Sequence, residues 1–118
     1  MTTTQEIALT QLSAVFAEDW EHLESLYDPD VRYLDPDGEI IGRAAVTDRM
    51  RSLVAALPES TYSVRHCTPG ADAVVVEWTL DGAGLALDVA TVYETRDGRI
   101  AAERNYWDNA ALVPPGSE

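Results

Sequence analysis

The pattern of apolar residues changes character near residue 60, and that change constrains the fold more than any other feature. Before it, the spacing is mainly helical, interrupted by "VRYLD", read as a short strand, and "IIG", its return in a tight hairpin. Ile7, Leu12, Val15 and Phe16 form a stripe over Thr4 to about Ala17, behind capping threonines. Asp19 can cap a second, short helix with Trp20, Leu23, Leu26 and Tyr27 on one side, stopped by "DPD" at 28–30. Arg43 to Leu57 places Val46, Met50, Leu53, Val54 and Leu57 on one face, and Pro58 ends it. After it come four strand-like runs, "TYSVRHCT", "AVVVEWTL", "LALDVATVYET" and "RIAAERNYWD", separated by "PGAD", "DGAG" and "RDG". Helices followed by consecutive strands predict an α+β fold, with the helices packed on one face of a mostly antiparallel sheet. A long sheet curving around helices leaves a cone whose mouth is a natural ligand pocket.

The chain's 118 residues suffice for one domain, taken here as 1–118 with a Pro-rich, flexible tail over 110–118. Its 21 acids against 8 bases give a net charge of −13. A surface of that sign repels phosphate backbones and anionic lipid, so neither nucleic acid nor a membrane is an expected partner. Cys67 is the single cysteine, which fits a reducing, cytoplasmic setting and a packed side chain. "MTTTQEIALTQ" has no basic n-region, and no apolar run approaches membrane-spanning length. His22 and His66 lie far apart, with no ligand-spaced cluster, phosphate-cradling glycine loop or nucleophile elbow, so no metal and no cofactor are expected.

One stretch carries candidate chemistry. "VRYL" alternates like a strand and leads into "DPDG", a turn. Asp35 is therefore either a turn-former or a carboxylate carried on a strand end into the pocket.

The stretches "AEDWEHLESLYDPDVRYLDPDG", "IIGRAAVTDRM" and "LALDVATVYETRDGRIAAERNYWD" resemble the SnoaL-like and ketosteroid-isomerase-like branch of the nuclear transport factor two-like superfamily. The resemblance spans roughly Val15 to Asn109. It implies a cone-shaped α+β barrel, helices on a curved sheet around a pocket, and commonly a homodimer formed through the open sheet face. Here that face would carry Val75, Glu77, Thr79, Arg104 and Tyr106. The resemblance also implies that Asp35 is a general base moving a proton next to a carbonyl. The family's two acidic oxyanion donors are replaced here, with Gln11 near the first position and Thr91 at the second. That points away from a steroid Δ-isomerase and toward a related proton transfer or ring closure.

Strand alternation groups Leu87, Val89, Thr91 and Tyr93; Glu103, Asn105 and Trp107; and Val74, Val76, Trp78 and Leu80. The resemblance turns these faces inward. Glu103 would then share an apolar pocket with Asp35, one acid ionised as base and the other protonated. The other reading of Glu103 pairs it with Arg104 outside the sheet. His66, on one face with Tyr62 and Val64, is either a surface residue or a proton shuttle. The expected catalytic set is Asp35, Glu103, Thr91 and Asn105. The expected pocket is Tyr27, Met50, His66, Val76, Trp78, Leu87, Val89, Tyr93 and Trp107. The expected function is a cofactor-independent isomerase or cyclase acting on a small apolar, polyketide- or steroid-like molecule. Epoxide opening by an acid pair and a non-catalytic binding or assembly module are the alternatives.

Overall fold

A computed structural model describes residues 2–82 and 84–108. The tail expected over 110–118 lies outside them. The helices are α1 (Thr4–Phe16), α2 (Trp20–Leu26) and α3 (Arg43–Ala56). The strands are β1 (Tyr27–Asp35), β2 (Gly38–Ile41), β3 (Thr61–Pro69), β4 (Ala73–Gly82), β5 (Leu85–Arg96) and β6 (Arg99–Tyr106). They form one sheet in the order β2-β1-β6-β5-β4-β3. Among the described residues, only the β1–β6 pair is parallel. The architecture is the expected α+β cone, but the sheet stays open at β2 and β3 and is not a closed barrel.

Local chemistry accounts for the helix ends. The Thr3 hydroxyl accepts from the Glu6 N–H at 3.1 Å, and Asp19 Oδ1 accepts from the His22 N–H at 3.3 Å. Gly42, at φ 101°, turns the chain from β2 into α3. α1 buries Ile7, Ala8, Leu12, Ala14 and Val15 against the sheet, and Gln11 lies in the middle of that stripe. A polar side chain there requires buried partners.

Two irregularities change the expected layout. β1 begins at Tyr27 and runs through "DPD" instead of starting after it. Tyr27 faces Ile100 and Arg32 faces Ala102, so five steps along β1 match two along β6. The extra residues bulge out, which is where a strand tolerates a proline without an N–H. In β3, Val64 faces Trp78 while His66 faces Glu77, leaving Arg65 as an extra residue. One inserted residue reverses every side chain beyond it. Tyr62 stays inside, against Phe16 and Trp78. His66 moves to the outer face and is exposed, which corrects its expected place in the pocket. Cys67 moves inward and packs on the core, as expected for a small packed side chain.

Candidate active site

Between α1, α3 and the sheet lies a small cavity of ≈ 90 Å³. Its walls are apolar: Leu12, Val15 and Phe16 from α1, Met50, Leu53 and Val54 from α3, and Trp78, Leu80, Leu87 and Val89 from the sheet. Leu57, Ser60 and Trp107 also line it, and Gln11, Tyr33, Tyr93, Glu103 and Asn105 bring the polar atoms.

Glu103 is 1% exposed. Its Oε1 accepts from the Tyr27 hydroxyl at 2.8 Å and from Gln11 Nε2 at 3.3 Å, and its Oε2 accepts from Asn105 Nδ2 at 2.9 Å. The Gln11 amide also donates to the Tyr27 oxygen, at 3.1 Å. The orientation of both amides is forced. Trp78 Nε1 can only donate, and its partner is Thr91 Oγ1 at 3.0 Å. The Thr91 proton therefore goes to Asn105 Oδ1, at 2.7 Å, which turns Nδ2 toward Glu103. On the other side, the carboxylate needs the nitrogen of Gln11, so Gln11 Oε1 faces Tyr93 and accepts its hydroxyl at 2.6 Å. Three donors, from Tyr27, Gln11 and Asn105, thus converge on Glu103, an arrangement that matches an ionised carboxylate. Burial pushes the Glu103 carboxyl up, to about 6; bonds from Asn105 and Tyr27 oppose that rise, and the Asp35 charge adds to it. Burial, and then the Glu103 charge, hold the Tyr27 and Tyr93 hydroxyls well above their usual range.

Asp35 is buried in a second cluster. Its Oδ2 accepts from the Tyr33 hydroxyl at 2.7 Å and from Arg49 Nε at 2.8 Å. Its Oδ1 accepts the Asp37 N–H at 2.8 Å, closing the turn. Arg49 reaches Asp37 as well, at 2.8 Å. Burial works against the Arg49 charge, but the bonds to Asp35 and Asp37 outweigh it and the guanidinium is held above its usual range. Asp35 is thus a turn-former and one half of an ion pair between β1 and α3.

Of the expected residues, the structure brings Glu103, Asn105, Met50, Trp78, Leu87, Val89, Tyr93 and Trp107 to the cavity. Thr91 and Tyr27 do not line it but are hydrogen-bonded to Asn105 and Glu103, which do. Val76 is buried in the core beneath it. Asp35 does not line the cavity; Tyr33 does, and its hydroxyl donates to Asp35. Glu103 does not pair with Arg104, which bonds Glu94 on the outer face. Sequence reading missed Tyr33 and Arg49. Tyr33 had a signal, since it lies two residues before Asp35 on the same strand face. Arg49 had none, because its partners are set by how α3 lies on β1. Among the described residues, no three His, Cys, Asp or Glu side chains gather as a metal ion would need.

A model of the SnoaL-like domain matches residues 9–103. Among curated proteins none matches. Solved structures do. An NTF2-like protein of unknown function from Cytophaga hutchinsonii is 17% identical at TM-score 0.82, covering 95% of this chain and 96% of that one. A protein with a ketosteroid isomerase-like fold from Catenulispora acidiphila, in complex with trimethylamine, is 22% identical at 0.82, covering 95% and 92%. TerC, co-crystallized with polyporic acid, is 21% identical at 0.80, covering 94% and 95%. At these identities the likeness is one of fold.

Proposed function

We propose that this chain, which belongs to the family of SnoaL-like domains, moves a proton on a small, largely apolar organic molecule, with Glu103 as the acid–base group. It would be an isomerase or cyclase working without a cofactor, on a polyketide- or steroid-like skeleton. One observation carries the reading: among the described residues lining the apolar cavity, Glu103 alone is a carboxylate, and no His, Lys or Arg accompanies it. A carboxyl raised to about 6 is ionised at neutral pH yet close enough to it to return the proton. Asn105 would steady the charge left on the substrate, and Thr91 would hold the Asn105 amide in place. Asp35, expected from sequence to be the base, serves in this reading to orient Tyr33. The acid pair needed for epoxide opening does not meet in the cavity, because Asp35 is bound to Arg49.

The test compares wild type with Glu103→Gln in deuterated water, on a panel of ketone, enol and phenol polycycles. Mass spectrometry reads deuterium uptake at carbon. Uptake should fall about a hundredfold or more in the variant, the usual scale of a general base. Equal uptake by both proteins removes Glu103 from the role.

A second reading has its own support. Among the described residues, no buried side-chain polar atom lacks a hydrogen-bond partner, so the network is also complete as structure. A carrier of apolar ligands would need no more, and binding without any exchange on the panel would select it.

The same proposal includes a homodimer through the outer sheet face, where Tyr106 is 50% exposed beside Arg104, and a cytoplasmic setting. No described helix is long and apolar enough to cross a membrane.

A further inference from the structure

At ≈ 90 Å³ the cavity falls short of the roughly 300–1,000 Å³ of pockets that hold small organic ligands. A second hollow of ≈ 290 Å³ lies next to it, rimmed by Glu18, Ala55, Pro58 and Glu59, all exposed. Four residues line both spaces: Phe16, Val54, Leu57 and Ser60. They are the partition, and the two spaces joined across it reach the lower end of the ligand range. Its members are not held alike. Ser60 lies so close to Gly82 that a Cβ on that glycine would stand 2.7 Å from the Ser60 Cβ, which wedges the link into β3 against the end of β4. Val54 belongs to α3. Phe16 is the last residue of α1 and is half-buried. Its ring lies against Tyr62, at 4.7 Å between centroids, and edge-on to Trp78, at 5.9 Å. Trp78 does not follow it, because the indole N–H is tied to Thr91. Turning the Phe16 ring to another rotamer gives up ring contacts and no hydrogen bond.

We propose that Phe16 is the gate of the ligand site: its ring turns away from Trp78, and the inner and outer spaces become one pocket through which an uncharged, multi-ring molecule enters. The gate rests on the reading of the cavity as a ligand site, which the isomerase and the carrier share, and not on Glu103 as the base. Two further features fit. The outer hollow is lined, among the described residues, by Glu18 and Glu59 and by no basic side chain, so an anion is repelled at the entrance. Phe16 also packs on both apolar clusters, the main one and the smaller one of Leu80, Leu87 and Val89. Its ring bridges the gap that the cavity leaves between them, and Leu57, across the partition, packs on the smaller cluster. Phe16 therefore sets which molecules enter by their size and by how often its ring turns aside.

Phe16 is the sole phenylalanine of the chain, so 4-fluorophenylalanine places a single fluorine in the full protein, on the gate. The probe is N-phenyl-1-naphthylamine, uncharged at neutral pH and three rings in size, whose own fluorescence reports binding. Saturating probe should move the fluorine resonance away from its stacked position. The observed binding rate should level off as probe concentration rises, because opening limits entry. A state that is open about 10% of the time or less lowers the apparent affinity by that fraction. Phe16→Ala should therefore bind the probe about tenfold or more tighter, at a rate that grows in proportion to its concentration. If that variant fails to fold, the fluorine measurement on the wild-type sequence still decides. A resonance that stays in place while the probe binds, or no binding of the probe, overturns the gate. The two readings fail separately. A shifted resonance with deuterium exchange intact in Glu103→Gln keeps the gate and discards the base. A fixed resonance with exchange lost in that variant keeps the base and discards the gate.

Discussion

Glu103 couples the stability of the protein to pH in a direction opposite to most carboxylates. Its folded value of about 6 lies above the ordinary 4.5. Between those values the folded state holds the proton more tightly than the unfolded chain, so stability falls as pH rises through the window and is level beyond it. The loss is about 2 kcal/mol. Glu103→Gln has no such slope. Denaturant melts of the two proteins between pH 4 and 7.5 should therefore show the wild type losing about that much relative to the variant. A constant difference across the window would mean that Glu103 is not held as described. Strand period grouped Glu103 with Asn105 and Trp107, and the family resemblance turned that face inward. Neither could reveal the donors, since Gln11 and Tyr27 reach Glu103 from 92 and 76 positions away.

At the scale of elements, the Asp35–Arg49 pair fastens β1 to α3. The Asp35 side chain is 2% exposed and that of Arg49 is 22% exposed. Removing the arginine strands a buried carboxylate, but the partial exposure lets water enter, so Arg49→Leu should cost about 2 kcal/mol, below the figure for fully buried pairs. Asp35→Asn should also destabilise, unlike a pure turn residue, which asparagine replaces well. The double variant should cost less than the two single changes together, and additive costs in chemical denaturation would show that the pair is not coupled. The elements themselves were readable, with α1, α3 and the last four strands close to their expected bounds. The failures share one physical cause. A bulge adds a residue without altering the apolar pattern around it, so neither the strand character of 27–30 nor the outward turn of His66 could be read from periodicity.

Over the whole molecule, a charge of −13 opposes association of two copies through the outer sheet face. Salt screens that repulsion, with a Debye length of ~10 Å at 0.1 M falling to ~3 Å at 1 M. Light scattering at micromolar concentration should find the dimer tightening as sodium chloride rises from 20 to 500 mM, and a monomer mass throughout would refute the dimer. The parallel β1–β6 pair has a consequence in time. β1 lies between β2 and β6, and its inner neighbour comes some seventy residues later. During synthesis the β1–β2 hairpin must wait with an unpaired edge until β6 emerges, and closing so long a loop is slow. Gln11, Tyr27 and Glu103 meet only at that moment. A nascent chain halted before residue 99 would hold most of its strands but neither Glu103 nor Asn105, so the carboxylate on which the polar centre closes arrives last.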